Sequence, residues 1–236
     1  MIVHLANSRG MANHGWLQSA HTFSFADYYN PERMHFGALR VINDDTIEKG
    51  KGFGRHPHRD MEIITIPLEG SIKHEDSEGN IGVIARGEIQ VMSAGTGIFH
   101  SEFSDPQITT KLLQIWVFPK LLSVKPRYDQ KVFPLDERKD GFQLIVSPDG
   151  RESSLEINQD AFFSIAEVSQ NVSLHYSPYI ATSGAYLFII SGTFEINGQV
   201  FHGRDGIGLE SFKALSLKAL NQTSEILVME LPMLGP

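Results

Sequence analysis

Gly50-Lys51-Gly52-Phe53-Gly54-Arg55-His56-Pro57-His58-Arg59-Asp60-Met61-Glu62 carries two histidines at i and i+2 in a glycine-rich run, and His100-Ser101-Glu102 repeats that spacing downstream. A strand sends residues i and i+2 to the same face, about 6.6 Å apart along the chain. Two neighbouring strands with one pair each would aim three imidazoles and one carboxylate at a single point. That donor set suits a borderline divalent ion such as Fe(II), Mn(II), Ni(II), Cu(II) or Zn(II). One H-x-H arises by chance in a chain with ten histidines. Two pairs, each set among glycines and strand-like runs, predict a metal site.

Outward from these stretches the chain reads as all-β. Short runs rich in Val, Ile, Phe and Thr recur between Gly, Asn and Asp, as at 62–68, 90–92, 112–118, 142–146, 186–190, 193–196 and 226–231. Ser77-Glu78-Gly79-Asn80 and Asn197-Gly198 signal hairpin turns. No amphipathic run of helical length stands out, and short helices are expected only near residues 13–18 and before Pro31. A weak internal repeat relates Ile64–His74 to Ala185–Glu195: an apolar strand, a Gly corner at Gly70 or Gly192, and a second strand. It predicts two tandem barrels of one fold, with the polar segment 123–141 as connection and the domains bounded at 1–130 and 131–236. Nothing after residue 160 resembles H-x-H, so the second barrel is expected to be metal-free and structural.

The 236 residues, 41% hydrophobic, describe a globular protein. Absence of cysteine excludes disulfides, thiolate ligands and thiol nucleophiles. The net charge of −8 disfavours DNA, RNA and acidic membranes as direct partners. No run approaches the length of a membrane span, and the N-terminus lacks the apolar core of a signal peptide, so the chain is expected to be cytoplasmic. The signatures of Ser-nucleophile elbows, P-loops and dinucleotide-binding turns are missing.

Residues 50–62 fit the first cupin motif: a Gly, five residues, H-x-H, three residues and Glu62. Gly87 to His100 looks like the second cupin motif, with Ser93-Ala94 where Pro is usual and a longer gap from Gly to His. Met92-Ser93-Ala94-Gly95-Thr96-Gly97-Ile98-Phe99-His100-Ser101-Glu102 resembles the pirin branch of the cupins. Gly15-Trp16-Leu17, His21 to Tyr29 and Leu39 to Asp45 resemble the pirin N-terminal signature. This resemblance, strongest from about Arg9 to Glu102, implies a bicupin of two jelly-roll barrels, similar to bacterial pirins described as quercetin 2,3-dioxygenases. It also implies one divalent metal, with Fe(II) first and Mn, Ni, Cu, Co or Zn as alternatives. The substrates would be a flavonol and O₂, and the chain a monomer. The alternative is a non-enzymatic pirin that regulates a protein partner according to iron redox state.

The expected ligands are His56, His58, His100 and Glu102. Many cupins use the Glu of the first motif, here Glu62, but a straight strand would hold it about 13 Å from His58. Glu102 faces the same way as His100 without special geometry, so it is the expected ligand and also the expected proton acceptor. Glu62 is then expected to orient an imidazole N–H from outside the ligand set. Phe53, Met92, Ile98, Phe99, Leu113 and Ile115 are candidate apolar walls of a pocket, with Gln114 and Trp116 as polar and aromatic contacts. Gly52, Gly54, Gly95 and Gly97 are expected at turns or positive φ. His14 and His21 are read as packing residues and His74 as a surface residue.

Overall fold

The computed structural model describes residues 1–234 and contains two β-barrels packed back to back. The first joins a seven-stranded sheet to a four-stranded one. The larger runs in the order Arg127–Val132, Glu88–Ser93, Glu62–Glu69, Thr110–Val117, Leu39–Ile47, Leu17–His21, Gly10–Asn13. The smaller runs Gly52–His58, Ile98–Ser104, Ser71–Asp76, Ile81–Ala85. The second barrel repeats the plan, with Gly184–Ser191 and Thr223–Leu231 central in its seven-stranded sheet. Among the described residues there is no α-helix, only three short 3-10 turns, and no helix long and apolar enough to cross a membrane.

Strand alternation explains where the core lies. On Thr110–Val117, Leu113, Ile115 and Val117 point out of the first barrel, and on Gly184–Ser191, Tyr186, Phe188 and Ile190 point out of the second. These rows meet in one apolar cluster that glues the two large sheets together. The opposite parity differs between the halves. In the second barrel Ala185, Leu187, Ile189, Phe194 and Ile226 fill the interior. In the first, the inward rows carry Asn43, Asp45, Thr65, Gln90 and Gln114, all buried, between two small apolar clusters. Apolar filling closes one barrel, whereas polar filling keeps the other available for chemistry.

The repeat is real at its corner: Gly70 and Gly192 both join their strands at positive φ, +73° and +81°. Four expectations need correction. The segment 123–141 is not a simple connection, because Arg127–Val132 pairs with Glu88–Ser93 as an edge strand of the first barrel. A half-exposed edge lacks the apolar alternation that marks a buried strand, so it reads as loop. The division between residues 130 and 131 therefore falls inside a strand, and Ile2–His4 extends the second barrel's sheet through pairing with Gly206–Leu209. The helix expected over 13–18 is a hairpin: Asn13 Oδ1 accepts the Gly15 N–H, Gly15 has φ +82°, and Asn13 pairs with Gln18. The segment before Pro31 is a tight turn bridged from Phe25 to Tyr28, with Ala26 at φ +48°.

Candidate metal centre and adjoining cavity

Antiparallel register assembles the histidines. His100 lies directly across from His56, and Ile98 from His58, so His100 joins the His56–His58 pair on one sheet face while Glu102 extends beyond the other side of His56. A β-bulge between His100 and Glu102 shifts Glu102 opposite Phe53. One nitrogen from each of His56, His58 and His100 lies within 4.8 Å of the others, and their rings stand 4.4 to 4.9 Å apart. His56 Nδ1 lies 2.8 Å from the Gly54 carbonyl, which only accepts, so it carries the proton and Nε2 presents a lone pair. That Nε2 is 2.9 Å from His100 Nε2. Two donors at about 2.1 Å from one ion and at right angles lie about 3.0 Å apart, so the separation fits a shared divalent metal. Burial, then neighbouring imidazoles, lowers the pKa of His58 to about 4 and of His100 to about 2. Both rings are therefore neutral, the form that binds metal.

Glu102 is 2% exposed, and burial followed by the charge of Asp45 raises its pKa to about 7. Gln114 Nε2 donates to its Oε2 at 3.1 Å, while Oε1 is buried without a partner. Its carboxylate groups with His100 and His74, within 4.8 Å, rather than with His56 and His58. His74 is thus the main residue misplaced by sequence reasoning: it is fully buried, not at the surface, and stands across from Glu102. The signal was present in its strand, where Ile72, His74 and Asp76 share the buried face while Lys73 and Glu75 alternate outward.

A cavity of about 430 Å³ opens beside the histidines, within the range of small-molecule sites. Its aromatic wall is Trp16, Phe25, Phe53 and Trp116, with Trp116 edge-on to His58 at 4.9 Å and to Phe25 at 5.2 Å. Exposed His14 and Ala26 lie on its rim, so it reaches solvent. Of the pocket residues expected from sequence, Phe53, Gln114 and Trp116 line it. Met92 and Ile98 do not; they pack with Ile63 and Ala94 in a buried plug against Trp116. Phe99 faces solvent beneath the Arg55 guanidinium, since alternation turns it outward when His100 turns inward. Leu113 and Ile115 point the other way, into the core between the barrels.

The polar floor was missed. Ser19, His21, Asn43 and Asp45 come from the two strands beyond Gln114. His21 Nδ1 bonds to Asn43 Oδ1 at 2.7 Å, and Ser19 Oγ donates to Asp45 Oδ1. Burial raises the Asp45 pKa to about 7. Alternation again held the signal: Leu17-Ser19-His21 and Asn43-Asp45-Ile47 are inward rows. Glu62 orients no imidazole. It points out of the barrel, where its Oε2 accepts Ser93 Oγ at 2.7 Å and the Asn158 backbone N–H at 3.1 Å, linking the two barrels. Of the four glycines, Gly95 and Gly97 have positive φ, but Gly52 and Gly54 do not.

Two barrels, one plugged and one holding a histidine cluster beside an aromatic cavity, define a bicupin. The comparisons narrow the class. The pirin family model matches residues 3–117, and the model described as quercetinase C-terminal cupin domain matches 144–231. The chain is 46% identical over 230 residues, 96% of each chain, to a quercetin 2,3-dioxygenase of Escherichia coli K12. It is 40% identical over 220 residues to a pirin-like protein of Caulobacter vibrioides, 93% of this chain and 94% of that one. The crystal structure of the bacterial pirin YhhW of Escherichia coli in complex with nickel(II) superposes with a TM-score of 0.92 at 43% identity, over 99% of both chains. The chain belongs to the pirin family.

Proposed function

We propose that this chain is a metal-dependent dioxygenase that acts on flavonols such as quercetin through a mononuclear site of His56, His58, His100 and Glu102. The observation that carries this reading is a cluster of three imidazoles beside an open, aromatic-lined cavity, with His56, His58 and Glu102 in the cavity wall. A relative of 46% identity bears the name quercetin 2,3-dioxygenase, and one of the solved pirins is a nickel(II) complex. A bound divalent ion, Fe(II) first among the candidates, would supply the electrophile for the flavonol 3-hydroxyl and the redox chemistry with dioxygen.

The protein's own groups do the rest. Trp16, Phe25, Phe53 and Trp116 provide flat apolar surfaces for a fused aromatic substrate and exclude water. Gln114 steadies Glu102 through the 3.1 Å bond to its Oε2. Glu102, buried and with its Oε1 free of any hydrogen-bond partner, offers that oxygen to the hydroxyl proton. The concave, solvent-connected cavity supports an enzyme over a regulator, for which a sealed site under a flat charged patch would be the fitting form.

The test is anaerobic purification, elemental analysis, loading with Fe, Mn, Ni, Cu or Co, and oxygen uptake with quercetin. Stoichiometric consumption of quercetin and O₂ is expected, with a rate that depends on the metal. Fully loaded protein that takes up no oxygen with any of the five would remove the flavonol reading. Glu102→Gln is expected to lower turnover more than metal content, because the amide still offers an oxygen but takes no proton. Equal losses would leave Glu102 a ligand only.

A further inference from the structure

Behind the three-histidine cluster, the strand Ser71–Asp76 carries a buried ionisable pair to which the proposed reaction assigns no role. The side chains of His74 and Asp76 have no solvent exposure, and Asp76 Oδ2 lies 3.2 Å from His74 Nε2. On the other side of the ring, His74 Nδ1 lies 3.3 Å from His100 Nδ1. The carboxylate oxygen only accepts, so Nε2 of His74 carries the proton. A neutral His74 then presents a lone pair at Nδ1, and the facing Nδ1 of His100 must donate. That places the remaining lone pair of His100 on Nε2, the atom 2.9 Å from His56 Nε2. The sequence of bonds assigns one tautomer to every ring in it.

The outer end of the chain is fixed. Asp76 Oδ1 accepts the backbone N–H groups of Glu78 and Asn80 at 2.9 and 3.0 Å, and Asn80 Nδ2 donates to Oδ2 at 2.9 Å. Tyr128 stacks on the His74 ring at 4.6 Å with an interplanar angle of 28°. Neither Asp76 nor His74 can turn without breaking several contacts at once.

We propose that Asp76 and His74 form a relay of hydrogen bonds to His100 that sets the tautomer, aim and donor strength of this metal ligand. It rests on the metal-site reading above. An imidazole that donates its second N–H is a more basic ligand and a better oriented one, and loss of such a partner typically costs about 10–100-fold in metal affinity. Here a second imidazole stands between the ligand and the carboxylate. His74 is a positioning residue and does not touch the ion.

The experiment measures Co(II) and Ni(II) affinity of the full chain by chelator competition, with the visible spectrum of the Co(II) form. Three variants separate the contributions. His74→Phe keeps a ring against Tyr128 but removes the acceptor. His74→Asn restores an acceptor oxygen near the position of Nδ1. Asp76→Asn keeps the turn through its oxygen but presents an amide donor to His74, which forces the opposite tautomer. Affinity is expected to fall about 10–100-fold in His74→Phe and in Asp76→Asn, with an altered Co(II) spectrum, and to recover in part in His74→Asn. Affinity of His74→Phe within about twofold of the parent, or no recovery in His74→Asn, overturns the relay. So does X-ray absorption showing His74 as a further imidazole ligand. If His74→Phe fails to fold, Asp76→Asn against the parent decides. Parent protein that binds neither ion refutes the metal site itself, whereas a binding parent with unaffected variants refutes only the relay.

Discussion

Gly52 and Gly54 lie on the same strand, two residues apart, yet a methyl group added to each should have opposite consequences. At Gly52 a Cβ would stand 2.0 Å from the Glu102 carbonyl oxygen and 2.6 Å from Phe103 Cα. Ordinary contact begins near 3.4 Å, so the strand that carries His100 and Glu102 would have to retreat by more than 1 Å. At Gly54 a Cβ meets nothing within 4 Å. Overpacking of this kind costs about 1–3 kcal/mol, whereas relief of glycine's backbone entropy in a strand favours Ala by roughly 0.5–1 kcal/mol. Gly54→Ala should therefore be neutral to slightly stabilising, and Gly52→Ala destabilising. The site should register the same difference more sharply. Metal donors tolerate misplacement of only about 0.2 Å, and His56 and His58 sit on the strand that stays while His100 sits on the strand that moves. Metal affinity should fall at least about tenfold in Gly52→Ala and stay within about twofold in Gly54→Ala. Urea denaturation of the metal-free proteins and chelator competition on the loaded ones give the two readouts. Equal stability and equal affinity for the two variants would refute the claim that Gly52 sets the distance between the histidine-bearing strands.

His58→Ala and His100→Ala should each abolish metal retention in elemental analysis while cooperative unfolding survives, because the large cluster between the sheets contains neither residue. Loss of all cooperative unfolding on metal removal would make the ion structural instead. Asp45 gives a pH prediction. Its folded pKa, about 7, lies above the 3.8 of an unperturbed aspartate, so the native state binds the extra proton between these values and stability falls as pH rises through that window. Asp45→Asn removes this loss. The metal-free variant should gain on the parent between pH 4 and 7, by an amount on the order of a few kcal/mol, and the difference should level off above that. A difference that stays flat across the same range would contradict the burial-raised pKa.

What the sequence determined by itself was whatever depends on alternation within one strand. His56 with His58, and His100 with Glu102, are same-face pairs by strand geometry alone, and Gly70 and Gly192 mark the corners of the repeat because their backbone needs positive φ. The same rule held more than was drawn from it. His74 and Asp76 share a face with Ile72, and Asn43 and Asp45 share one with Ile47, but polar residues beside charged neighbours look like surface until a partner strand covers them. Which of two faces is covered is a property of the whole barrel. Phe99 is apolar and exposed and Glu62 charged and buried, because the sheet, not the side chain, decides which parity meets the cavity, the second barrel or water. Register decides more still: it sets His100 against His56, shifts Glu102 across a bulge toward Phe53, and sets His74 opposite Glu102. Register arises from hydrogen bonds between segments far apart in the chain, so only the assembled barrel could bring His100 to the His56–His58 pair and set the Glu102 carboxylate and a fourth imidazole, His74, beside it.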